Sequence, residues 1–145
     1  MAAPELDVRF VSPEEFDRVW PSLEPLLGAA CQSNEISRGE LSPALLRREV
    51  LAGRASALVG YEYFLPVGVM VFELSSVGEH RVARILALAG KRLLAFGGGY
   101  WDSVLATLRG MGISYVDACA NERVAEVYKN RFGFSDTCVY LRRKL

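Results

Sequence analysis

The spacing of apolar positions changes several times along the chain, and each change predicts an element. Val8-Arg9-Phe10-Val11 alternates as a strand does, and Ser12-Pro13-Glu14-Glu15 follows with a cap, a first-turn proline and early acidic residues, in the order that opens a helix. Phe16, Val19, Trp20 and Leu23 then recur at helical spacing, with Pro21 and Pro25 predicted to divide the segment into two short helical pieces. After a polar stretch over Gln32–Gly39, Ser42-Pro43 opens a further helix through Leu45, Leu46 and Val50 that ends near Gly53. Three β-rich runs come next, Ser56–Tyr63, Val67–Leu74 and Val82–Ala89, with a turn at Leu65-Pro66, which predicts an antiparallel meander.

Within Val67–Leu74 the alternate faces carry Val67, Val69, Val71 and Glu73 on one side and Gly68, Met70, Phe72 and Leu74 on the other. Both are mostly apolar, as in a central sheet covered by helices on its two sides. Trp101, Val104, Leu105 and Leu108 form the stripe of a helix bracketed by Gly97-Gly98-Gly99 and by Gly110 and Gly112. Ile113–Ala120 reads as another strand, Asn121 as the cap of a helix carrying Val124, Val127 and Tyr128, and Cys138–Leu141 as a strand that closes the sheet. The predicted fold is α/β, in the order β-α-α-β-β-β-α-β-α-β, around a mixed, mostly antiparallel sheet.

Composition narrows the setting. A chain of 145 residues, 51% hydrophobic and 23% charged, suits a single self-folding domain spanning residues 1–145. Seventeen basic residues balance seventeen acidic ones, which disfavours non-specific binding to nucleic acid or anionic membranes, and the basic end Leu141–Leu145 reads as a solvated tail. No apolar stretch approaches the ~20 residues of a membrane span, and the acidic, proline-broken start does not resemble a secretory signal. Cys31, Cys119 and Cys138 are odd in number and widely spaced, so they predict buried thiols in a reducing, cytoplasmic setting, with neither a disulfide framework nor a metal site.

This element order, together with Asn121-Glu122-Arg123-Val124-Ala125-Glu126-Val127-Tyr128-Lys129-Asn130-Arg131-Phe132-Gly133-Phe134, resembles the GNAT superfamily of N-acyltransferases. The closing helix of that family runs from an Asn through an Ala and a Tyr to a Gly-Phe. Here Ala125 falls one place later than is usual, and one more residue separates Tyr128 from Gly133, so the end of this helix governs where Tyr128 points. The resemblance implies transfer of an acetyl or other acyl group from acyl-CoA to an amine acceptor, either a small molecule or a protein. The stretch Ile85–Lys91 leading to Trp101 also resembles short GNAT-like proteins of tailed bacteriophages. That likeness implies an alternative, a non-catalytic assembly protein, a virion component or a homo-oligomer.

The chemistry names its own candidates. A pyrophosphate suits a glycine-rich turn at a helix N-terminus, where unpaired N–H groups converge; Gly97, Gly98 and Gly99 form such a turn, which serves equally as a plain connector. The family places an Arg or Gln before its spaced glycines, a position for which Arg92 is the candidate. By the same resemblance, the strand backbone at Leu86, Ala87, Leu88 and Ala89 holds the pantetheine arm, Asn121 opens the last helix beside the cofactor, and Tyr128 protonates the departing thiolate. Tyr128 also fits a helix tyrosine that merely packs on the sheet. Glu73 is the candidate general base on the acceptor side, with Glu79 and His80 behind it.

Overall fold

The computed structural model describes residues 6–33, 41–91 and 98–145. A five-stranded sheet in the order β1-β2-β3-β4-β5 is formed by β1 (Leu6–Val11), β2 (Ser56–Glu62), β3 (Leu65–Val77), β4 (His80–Gly90) and β5 (Tyr115–Ala118). The first four strands pair antiparallel and β5 joins β4 in parallel. α1 (Pro13–Ser33) and α2 (Pro43–Leu51) lie between β1 and β2 in the chain, α3 (Gly98–Gly110) between β4 and β5, and α4 (Glu122–Phe132) after β5.

The alternation in β3 separates two cores. Val69 and Val71 pack with Phe16, Leu23 and Leu27 of α1 and with Leu46 and Val50 of α2, whereas Met70 and Phe72 pack with Trp101, Val104 and Leu108 of α3 and with Phe132 of α4. Because each strand of the meander is apolar on both faces, the sheet can be roofed twice, as the sequence predicts. On the second face α3 packs against β1, where the Thr107 hydroxyl lies 2.9 Å from the Ser103 carbonyl of its own helix and 3.3 Å from the Val8 carbonyl, sharing one proton between them.

Two expectations need correction. α1 is one continuous helix through Pro21 and Pro25 rather than two pieces. The prolines lie four residues apart on the exposed side, so the carbonyls they disturb face water, while the buried stripe Phe16, Val19, Leu23, Leu27 and Cys31 runs on uninterrupted against the sheet. The predicted closing strand Cys138–Leu141 is not formed, and β5 is the last strand of the sheet. Val139 and Leu141 are 82% and 84% exposed and find no apolar face to cover, so the burial that fixes a strand in register is missing.

The β2–β3 hairpin turns on Tyr63 and Phe64, both left-handed at φ 50° and 67°. Such a turn matches the twist of the flanking strands, yet it ordinarily uses Asn-Gly, because a side chain in this region costs about 1–2 kcal/mol. Phe64 is 90% exposed and so gains little packing in exchange. Phe64→Gly is therefore expected to stabilise the protein by about 0.5–1 kcal/mol, strain relief outweighing the entropy glycine adds to the unfolded chain, and to raise Tm by about 2–4 °C. A lowered Tm in a thermal melt would show that Phe64 is held by contacts rather than strained.

Candidate functional site

The sheet opens between β4 and β5. Their pairing runs from Val82↔Tyr115 to Ile85↔Ala118 and stops, although β4 continues to Gly90. At the same level β4 carries a bulge. Val71 of β3 stands opposite Ala87 and Phe72 opposite Ile85, which leaves Leu86 as the additional residue. The bulge turns Leu86 and Ala87 together toward the α1 side, where both contact the first core.

A cleft of about 90 Å³ occupies this opening, walled by Ile85–Leu88 of β4, Ala118 and Cys119 at the end of β5, Ala30 and Cys31 of α1, and Val124 and Tyr128 of α4. It has the size of a few water molecules, enough for a small acyl group but not for a whole coenzyme. A second cavity of about 160 Å³ adjoins it through the shared residues Ala118, Cys119 and Tyr128 and continues beneath Ser135–Cys138 and Tyr140.

Tyr128 is positioned by both ends of its helix. Asn121 caps α4 by accepting from the Val124 backbone N–H at 2.9 Å. At the other end Gly133 takes a left-handed φ of 75°, and the backbone N–H groups of Gly133 and Phe134 both donate to the Tyr128 carbonyl. These two hydrogen bonds close α4 at Phe132, and the Tyr128 ring lines the cleft. Phe134 folds back to within 5.1 Å of the Tyr128 ring, with Phe132 at 5.7 Å. Trp101 completes the aromatic wall at 4.9 Å from Phe132 and donates from Nε1 to the Phe132 carbonyl at 3.0 Å. Burial among these rings pushes the Tyr128 phenol up to about 12.

Of the residues singled out from sequence, Leu86, Ala87, Leu88 and Tyr128 meet on this cleft. Ala89 is buried in the core beneath α1. Asn121 lies two residues beyond Cys119 and spends its side chain on the cap, outside the cleft wall. Gly98 and Gly99 are the first residues of α3, and Arg92 and Gly97 lie outside the described residues. Glu73 is exposed on the extension of β3, paired in register with Arg84, and is not part of the cleft wall. His80 stands at the start of β4 with its ring 5.2 Å from Tyr115. The expected burial of the thiols holds for Cys31, which burial pushes above its ordinary value, whereas Cys119 is half-buried and Cys138 exposed. Sequence reasoning missed Ala30, Cys31, Cys119 and Val124 as cleft residues, and no local pattern marks them.

No protein-family model and no curated protein matches the chain by sequence. Solved structures match it in fold. The chain is similar to a ribosomal-protein-alanine N-acetyltransferase from Brucella melitensis biovar Abortus 2308, at 16% identity over 97% of this chain and 99% of that one, with a TM-score of 0.67. The chain has the GNAT acetyltransferase fold. An aminoglycoside N-acetyltransferase in complex with CoA shares the fold at 13% identity, covering 99% of this chain and 97% of its own, with a TM-score of 0.65. So does a predicted acetyltransferase from Clostridium acetobutylicum with acetyl-CoA, at 12% identity over 97% and 96% of the two chains, with a TM-score of 0.56.

Proposed function

We propose that the chain transfers an acyl group, acetyl in the simplest case, from acyl-CoA to an amine. The observation that carries this reading is the parting of β4 from β5 after Ile85, beside a bulge at Leu86 and in front of a tyrosine that burial keeps protonated. Among the described residues the edge of β4 toward β5 has no strand partner beyond Ile85, so the backbone of Leu86–Ala89 can pair with an amide-bearing arm much as a sheet edge accepts an added strand. The residues fit such a group: the apolar walls at Leu86, Ala87 and Leu88 suit a pantetheine and its thioester, and the N-terminus of α3 at Gly98 and Gly99 offers N–H groups to an anionic pyrophosphate.

In this reading the neutral amine nitrogen attacks the thioester carbonyl carbon, the carbon–sulfur bond breaks, and the departing thiolate takes the proton of the Tyr128 hydroxyl. The proton released by the amine passes through water to Glu73, whose carboxylate is exposed to solvent.

Isothermal titration of the purified protein with acetyl-CoA is expected to give saturable heat. Absence of heat at millimolar ligand would sink the proposal, since even a site of about −4 kcal/mol registers there. Cys119→Trp, at a half-buried residue that lines both cavities, is expected to abolish that heat while leaving the far-ultraviolet circular dichroism intact.

A further inference from the structure

Beyond the cleft itself, β3, β4 and β5 carry a row of charges. Arg84 pairs in register with Glu73 on one side and with Asp117 on the other, so the three side chains share one face in the order acid, base, acid. That face is the α1 side, because the flanking Ala83 and Ile85 turn toward the opposite core. All three residues are exposed, and they sit just before the point where β4 and β5 part.

The guanidinium does not settle on its neighbours. Among the described residues Arg84 forms no ion pair with Glu73 or Asp117; its recorded contact runs from Nη2 to Cys119 Sγ at 3.6 Å, across the end of β5 and onto the cleft wall. A thiol is a weak acceptor, whereas a guanidinium presents five donors in a planar fork that fits a carboxylate. A strong donor fork is thus held at the lip of the acyl cleft by a weak acceptor, with a carboxylate on each side of it.

Resting on the acyl-transfer reading, we propose that Arg84 is the specificity-determining residue for the acceptor and that the acceptor is an amine carrying its own carboxylate, best a basic amino acid. Arg84 grips the carboxylate of the acceptor, Asp117 attracts the ammonium group that does not react, and Glu73 takes the proton of the amine that does. The complement of an acid–base–acid row is a molecule that carries one anion and two basic nitrogens, which free lysine provides. A simple diamine of the same length would bring no anion to the central guanidinium.

The test compares lysine with pentane-1,5-diamine, which differs from it only by the carboxylate, as acceptors for acetyl-CoA with release of free thiol as the readout. The wild-type protein is expected to favour lysine by about 10- to 100-fold in kcat/KM, mostly through KM, the range of a charge-assisted bidentate contact. In Arg84→Met that ratio collapses toward one, and Arg84→Lys, which keeps the charge and loses the fork, restores part of it. Equal wild-type rates for the two acceptors, or a preference that survives in Arg84→Met, overturn the Arg84 inference and leave acyl transfer standing. Failure of the wild-type protein to bind acetyl-CoA in the parallel titration overturns both. Acetyl-CoA binding by the two variants reports that they are folded.

Discussion

Tyr128→Phe is expected to lower the rate of acetyl transfer about 100-fold while changing the affinity for acetyl-CoA little, because a positioned proton donor contributes about 10²–10⁴-fold and the phenyl ring keeps its packing. The ring stays among Phe132 and Phe134 in either case, so folding is not the variable. What disappears is a proton held at the cleft by burial, on a phenol pushed up to about 12. The wild-type rate is accordingly expected to show no loss of this acid at any pH below about 10. Retention of full kcat by Tyr128→Phe would leave Tyr128 as a packing residue and move thiolate protonation to water.

The same burial predicts a stability effect in alkali. Tyr128 and Tyr61 both rise from an ordinary value of 10.0 to about 12, Tyr61 by desolvation first and then by the hydrogen bond it donates to Glu15 at 2.9 Å. The folded state holds these protons more tightly than the unfolded chain. Their contribution is therefore complete below about pH 10 and is lost as pH rises through 12.

Phe72→Ala is expected to cost about 3–5 kcal/mol, a large fraction of the roughly 5–15 kcal/mol of a typical domain. Phe72 is fully buried between β3 and the helices α3 and α4, and its partner in register is Ile85, the last residue before the bulge. The cavity would thus open directly beneath the point where β4 leaves β5, and acetyl-CoA binding should weaken along with stability. Urea denaturation monitored by Trp101 and Trp20 fluorescence measures the first effect. A loss below about 1 kcal/mol would show that the site collapses around the smaller side chain, as well-relaxing cores can.

Much of this architecture was legible in the chain. The doubly apolar pattern of Val67–Leu74 called for helices on both faces, Ser42 and Asn121 marked the starts of α2 and α4, and Gly133 marked the end of α4. These signals are local, because a cap or a left-handed glycine acts within a few residues. The two expectations that failed depended on distant partners. Pro21 and Pro25 would break an isolated helix, but α1 is held along its length by the sheet beneath it. Cys138–Leu141 has the residues of a strand, but a strand exists only where an edge and a buried face receive it.

The candidate site divides in the same way. The family resemblance named Leu86, Ala87, Leu88 and Tyr128 of the cleft, because the order of strands and the Asn–Tyr–Gly-Phe helix are written continuously along the chain. Tertiary structure alone brought Cys31 of α1 and Cys119, just past β5, onto one cleft with them, and set Glu73, Arg84 and Asp117 side by side from three strands. Register is the physical reason: a sequence records which face a residue takes along its own strand, whereas its neighbours across the sheet are chosen only when the strands pair. The bulge at Leu86 shifts that choice by one residue, and with it the place where the sheet opens.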